Sequence, residues 1–361
     1  MEENKNELFE KIFQLKSLID KFTEEGIIKE KINFPNICAI GDINSGKTST
    51  LESLLKINIL PIGRRERTTL CPFEINLNHI DTEETYAILE DIKYEDFSKL
   101  KEILEQKLYE IEEFKKLEKT PIILNIYSKK YPGLKLIDLP GFSHIPLGEA
   151  PKNIDEYPIH IAEKYINNPL NILLSVIPAT RGCSLDYYAL SGIRIPNEMS
   201  LMSEEPNNLR KLGVLTKIDI MDLQTDARDM LLNKVMPIEL GYIGVKNKSN
   251  NDIKNNLSYD EIIKNEKEFF NSHEKYKDLP KDILGNDALM KKISKIYFKI
   301  VKDNLPNNVK NEEKIKKLLD LLDQYSLKDE EIFDLKKIKK EKEKEDLTKN
   351  KKVKKYGNLF G

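Results

Sequence analysis

The eight residues Gly41-Asp42-Ile43-Asn44-Ser45-Gly46-Lys47-Thr48 constrain this chain more than any other stretch. They have the form G-x-x-x-x-G-K-[ST]. Asn36 to Ile40, just before them, is a short apolar run that reads as a buried strand. Ser49 to Leu55, just after them, reads as a helix. Strand, glycine-rich turn and helix in that order are what a phosphate-binding loop needs. Glycines let the backbone wrap a phosphate chain, and the helix N-terminus adds its positive end. The backbone of Gly41, Asn44, Ser45 and Gly46 then lines the cradle. Lys47 reaches the β- and γ-phosphates, and the Thr48 hydroxyl binds Mg²⁺.

Two further motifs follow in order. Leu136-Ile137-Asp138-Leu139-Pro140-Gly141 is an apolar strand ending in Asp-x-x-Gly. In P-loop GTPases such an aspartate holds Mg²⁺ through water, and the glycine N–H senses the γ-phosphate. Val214-Leu215-Thr216-Lys217-Ile218-Asp219 is an apolar strand ending in T-K-x-D. The Asp219 carboxylate can accept two hydrogen bonds, from N1–H and the exocyclic amine of guanine. Adenine has no such pair of donors. The Lys217 stem can lie along the base. The three motifs together predict GTP rather than ATP as the nucleotide.

The chain has 361 residues, which allows one large domain with attachments. Its formal net charge of −2 points to no nucleic-acid partner. No run of about 18 apolar residues occurs, so no membrane span is expected. Met1-Glu2-Glu3-Asn4 is acidic and no apolar stretch follows, so no secretory signal is expected. Cys38, Cys71 and Cys183 are isolated and, with four scattered histidines, form no metal-binding spacing. Reduced thiols and a cytoplasmic location are the expectation.

Periodicity predicts the remaining organisation. Residues 5–24 read as an amphipathic helix with Leu8, Ile12, Leu15, Leu18, Ile19 and Phe22 on one face. Strands are predicted at 73–80 and 121–128, on either side of a helix-biased insertion from Ile92 to Leu117. Further strands are predicted at 171–177 and 241–245, and a loop at 202–208. Helices are predicted at 266–276, 287–304 and 312–325. Strands alternating with helices predict an α/β fold with a mainly parallel central sheet, its ligands at the carboxyl ends of the strands. From Lys336 to Lys355 there are eleven lysines and four acids, a run that reads as a solvated tail.

These residues resemble the dynamin superfamily of large GTPases. The Asp-x-x-Gly motif has the family's spelling Asp138-Leu139-Pro140-Gly141. Thr225-Asp226-Ala227-Arg228-Asp229 is similar to the loop after the guanine motif, and Gly241 to Ser249 is similar to the strand and loop that close over the base. Asp42 and Ser45, Leu60-Pro61-x-Gly63, Glu268-Phe269-Phe270 and Asp303-Asn304-Leu305-Pro306 match as well, so the likeness runs over about residues 8–325.

The resemblance implies roles, residue by residue. Lys47 and Ser49 hold phosphates, Thr48 binds Mg²⁺, and Lys217 and Asp219 hold guanine with Asn247, Lys248 and Ser249 at the closing loop. Thr68 and Thr69 are adjacent; the family pattern T-x-C-P fits Thr69-Leu70-Cys71-Pro72, so Thr69 is expected to place the attacking water and touch Mg²⁺. The resemblance implies an amphipathic hinge-bundle helix at 5–29, a GTPase domain at 30–305, a shortened hinge or stalk helix at 306–327 and a Lys-rich tail at 328–361. It also implies a GTP-dependent homodimer, at most weak peripheral membrane contact, and a larger dynamin-type protein as a partner.

Two positions depart from the family. Ile43-Asn44 stands where dynamins usually carry Gln-Ser, whose side chains organise water and a charge-compensating cation. Pro178-Ala179 leads to Thr180-Arg181-Gly182-Cys183, with no acid until Asp186 where the family loop is acidic. Slow hydrolysis is therefore expected; Arg64, Arg65 and Arg67 read as surface arginines of a loop, with a supply of compensating charge as the alternative.

Overall fold

A computed structural model describes residues 7–61, 71–113, 120–142, 157–181, 209–221, 226–255, 257–306, 309 and 315–333. The readings at Arg64, Arg65, Arg67, Thr68, Thr69, Gly182, Cys183 and Thr225, the loop 202–208 and the tail 336–355 lie outside these residues.

Among the described residues the apolar runs become nine strands: β1 (Asn36–Ile40), β2 (Phe73–Asn78), β3 (Tyr86–Leu89), β4 (Ile92–Tyr94), β5 (Ile122–Tyr127), β6 (Leu134–Asp138), β7 (Asn171–Pro178), β8 (Lys211–Thr216) and β9 (Tyr242–Gly244). They form one sheet in the order β4-β3-β5-β2-β6-β1-β7-β8-β9. From β6 to β9 every pairing is parallel. All eight residues of β7 and all six of β8 are buried. That is why these strands read as unbroken apolar runs, as strands covered on both faces do. β2 alternates buried and half-buried positions and lies antiparallel to β6.

The helices are α1 (Glu7–Glu24), α2 (Lys47–Leu55), α3 (Phe97–Glu113), α4 (Tyr157–Ile166), α5 (Arg228–Leu231), α6 (Asn250–Lys254), α7 (Tyr259–Ser272), α8 (Asn286–Asp303) and α9 (Lys316–Tyr325). Three of them pack together, with α1, α8 and α9 in mutual contact. Leu8, Ile12, Leu15, Ile19 and Phe22 of α1 are buried, as are Leu318 and Leu322 of α9. Leu18, Leu319 and Leu321 are half-buried at the rim. Tyr325 packs edge-on against Phe298, and the Lys11 ammonium lies 4.6 Å over the Tyr325 ring.

Two elements differ from the periodicity. The insertion read as helical from Ile92 begins with a strand: β3 and β4 form a hairpin, and the helix starts at Phe97, its described part being Phe97–Glu113. The hairpin turn sits at Glu90 and Asp91, both at positive φ (49° and 63°). Such turns usually announce themselves with Asn-Gly or Asp-Gly, and Glu-Asp does not. The helix read from 266 starts at Tyr259 instead, where Ser258 and Glu261 form a capping box. Serine followed three residues later by glutamate is a legible start signal, and it outweighs the polar first turns that hid this helix.

Candidate nucleotide site

The candidate site lies at the carboxyl ends of β6, β1 and β8 in the parallel part of the sheet, β6 beside β1 and β7 between β1 and β8. The chain leaves β1 at Ile40 and turns through 41–46 into α2. Gly41 (φ 151°) makes the turn possible, because a Cβ there would sit 2.3 Å from the Val176 carbonyl oxygen of β7. Asn44 is in the left-handed region at φ 59°. Lys47, the first residue of α2, is buried and donates to the backbone oxygens of Asp42 (2.9 Å) and Gly41 (3.3 Å). Burial holds its ammonium below the ordinary lysine range, against the opposing pull of Asp138 and Asp42. The side chain is thus folded over the loop backbone, a parked position for a cation whose stronger partner is a phosphate.

Asp138 ends β6 and faces Thr48: the Thr48 hydroxyl donates to Asp138 Oδ2 at 2.6 Å. The following loop clasps the phosphate loop through its backbone. Ile43 N–H donates to the Phe142 oxygen (3.0 Å), and Phe142 N–H to the Gly41 oxygen (3.1 Å). Gly141 lies so close that a Cβ there would come within 2.7 Å of the Ile43 backbone. The third motif is tied to the same loop, because the buried Thr216 hydroxyl donates to the Ser45 oxygen at 2.5 Å. Ser45 Oγ is itself buried and has no hydrogen-bond partner among the described atoms. An unsatisfied buried hydroxyl in the loop that leads into α2 suits a ligand rich in oxygen.

Beyond Thr216 the chain turns sharply. Lys217 adopts φ 58° and Asp219 falls in a short 3-10 turn, Ile218–Ile220. Burial raises the Asp219 carboxyl above its ordinary range by penalising its charged form. β9 supplies the wall beside this turn, and the N–H of Val245, just after it, donates to the Leu215 oxygen at 2.8 Å. The segment after β9 is held against α2. Asn247 Nδ2 donates to Thr50 Oγ1 (3.0 Å), and the Ser53 hydroxyl donates to Asn247 Oδ1 (3.3 Å). Lys248 bonds the Glu52 carboxylate and donates to Asn58 Oδ1 at 2.7 Å. Ser249 caps α6 in a capping box with Asp252. The structure therefore joins the three motifs through the Thr48–Asp138, Ile43–Phe142 and Thr216–Ser45 contacts, with Gly41, Asn44, Gly46, Lys47 and Gly141 in the two clasped loops and Ser49, Lys217 and Asp219 in the elements that follow, and turns the Asn247, Lys248 and Ser249 side chains toward protein partners.

Two buried acids that matter here escaped the sequence reading. Glu52 is fully buried on α2, and Glu266 of α7 accepts from the Lys246 N–H (2.8 Å), the Asn286 N–H (2.8 Å) and Asn286 Nδ2 (3.0 Å). For Glu52 the only signal in the sequence is a glutamate on the apolar face of a short helix.

Comparison with known proteins agrees with this geometry. The dynamin family model matches residues 37–218, and the dynamin central region matches residues 226–356. This chain belongs to the dynamin family. It is 31% identical over 307 residues to Dynamin-1-like protein drp-1 of Caenorhabditis elegans, covering 80% of this chain and 41% of that protein. It is 32% identical over 292 residues to Dynamin-1-like protein of Danio rerio (76% and 40%), and 30% identical over 277 residues to human Dynamin-2 (76% and 31%). The chain thus spans between about a third and two fifths of these relatives. Among its described residues no helix is long and apolar enough to cross a membrane.

Proposed function

We propose that this dynamin-family chain binds GTP with Mg²⁺ and hydrolyses it to GDP and phosphate. The observation that supports this best is the 2.6 Å contact between Thr48 and Asp138, which joins the phosphate loop to the Asp-x-x-Gly motif. A hydroxyl and a carboxylate are hard oxygen donors, the kind Mg²⁺ takes while keeping several waters and binding substrate phosphates. Thr48 and Asp138, with Thr69, are the residues that would hold the ion, which neutralises charge developing on the phosphate oxygens.

The loop backbone at Gly41, Asn44, Ser45 and Gly46 receives the phosphates, and Ser49 lies one residue past Thr48. Lys47 leaves the Asp42 and Gly41 oxygens for the β- and γ-phosphates. A water placed by Thr69 attacks the γ-phosphorus, the bond to the β–γ bridging oxygen breaks, and GDP leaves. Gly141 N–H senses the γ-phosphate. Asp219 reads the two donors of guanine, Lys217 lies along the base, Thr216 holds the phosphate loop, and Asn247 closes over the purine. Lys248 and Ser249 shape that closing segment through Glu52 and the α6 cap.

A specific observation favours a second reading, a GTP-binding module with little turnover. The Ile43 N–H is engaged by Phe142, and its side chain carries no polar atom to place water or a cation. Phosphoryl transfer depends on placed charge and a placed nucleophile. A GTP-dependent homodimer, with the α1, α8 and α9 bundle as hinge, and weak peripheral attachment to membranes belong to the same proposal. Phosphate release measured against protein concentration, for the native chain and Ile43→Gln, tests it. Slow turnover raised by Ile43→Gln is the expected result; no turnover in either chain at any concentration, with GTP still bound, would establish the second reading.

A further inference from the structure

A charge buried in a short helix is costly where leucine would pack equally well. Glu52 lies in the last turn of α2, with none of its surface exposed. Its two oxygens go in different directions. Oε1 accepts from the Leu60 N–H at 2.8 Å, and Oε2 bonds the Lys248 ammonium. The Lys248 side chain is 3% exposed. It also donates to Asn58 Oδ1 at 2.7 Å and to the Tyr259 hydroxyl at 3.4 Å. That hydroxyl in turn donates to the Ile57 oxygen at 3.2 Å. One ion pair therefore ties together α2, residues 57–60, the segment after β9 and the start of α7. Lys248 is adjacent to Asn247, whose amide is held by Thr50 and Ser53 of the same helix.

We propose that Glu52 is a positioning residue for guanine: through Lys248 it fixes the segment 246–249 against α2, so that Asn247 is already placed when the purine enters. The inference rests on the GTP-binding reading above and assigns Lys248 a different task from base contact. The argument is one of direction. Hydrophobic packing would hold the segment near α2 but would let it slide. Charge-assisted bonds to fixed oxygens specify one position. Because the pair acts at the purine end, its loss falls on binding of the nucleoside, while the phosphate end of α2, at Lys47 and Thr48, stays tied to Asp42 and Asp138.

The test compares the native chain, Glu52→Gln/Lys248→Met and Tyr259→Phe. Glu52→Gln/Lys248→Met removes both charges together and leaves neither one buried alone. Melting curves establish that each variant folds. Calorimetric titration with GDP and with inorganic tripolyphosphate, and steady-state GTP turnover, read the effect. The expected result for the double variant is a GDP Kd and a GTP KM raised about tenfold, with kcat and tripolyphosphate affinity within about twofold of native. Tyr259→Phe should raise the GDP Kd about two- to threefold. If the double variant does not fold, Tyr259→Phe decides alone. Native GDP affinity in the folded variants, or a fall in kcat with KM unchanged, overturns the inference. A native chain that binds no GDP defeats the GTP-binding reading itself, a result distinct from either.

Discussion

Glu266→Gln is the most informative perturbation away from the nucleotide. Glu266 is 2% exposed and accepts three hydrogen bonds, from the Lys246 backbone and from the backbone and side chain of Asn286. Those bonds favour the carboxylate, but burial outweighs them and pushes the carboxyl from its ordinary 4.5 to about 7. The folded protein thus holds this proton more tightly than the unfolded chain does. The stability Glu266 contributes is fully present below about pH 4.5 and is lost as pH rises through about 7. At about 1.36 kcal/mol per tenfold change in proton affinity, the loss is roughly 3 kcal/mol. Glutamine has the same shape and no titration. The variant should therefore gain on the native chain by roughly 3 kcal/mol between about pH 4.5 and 7.5, on the order of 6–12 °C in Tm. Scanning calorimetry on both proteins at matched ionic strength, from pH 5 to 8, reads the difference directly. A difference in Tm that stays constant across that range would show that Glu266 is not held protonated, and the reasoning from burial would fail.

Two further outcomes follow from the site. Asp219→Asn loses charge-assisted bonds to guanine of about 1.5–3 kcal/mol, so GDP should bind about 10–100-fold more weakly while tripolyphosphate is unaffected; equal losses for both would remove Asp219 from the base. Gly141→Ala puts a methyl within 2.7 Å of the Ile43 backbone, so one of the two clasped loops must shift. GTP affinity should fall at least about tenfold with Tm within a few degrees of native, and unchanged GTP affinity by calorimetry would show that the clasp does not shape the phosphate cradle.

The chemistry expected of the site is legible in the sequence by itself. Phosphate loop, Asp-x-x-Gly and T-K-x-D each follow an apolar run, and each carries its expected role on residues within eight positions of one another. Local spacing is enough for that, because a loop's shape depends on its own glycines and its flanking strand and helix. The same locality made β1, β7 and β8 legible, since strands buried on both faces carry unbroken apolar runs. The tertiary structure alone decided what joins the motifs. Thr216 meets the Ser45 carbonyl across 171 positions, and Lys248 meets Glu52 across 196. Periodicity names neither pairing, because a polar residue on an apolar face does not say which distant residue will meet it. The β3–β4 hairpin was hidden for a related reason: Glu90 and Asp91 tolerate positive φ only because the sheet edge holds them there. Glu52 states the division most sharply. In sequence it is a glutamate in a helix; folded, it is a buried anion that ties α2 to Leu60 and to Lys248 of the segment after β9.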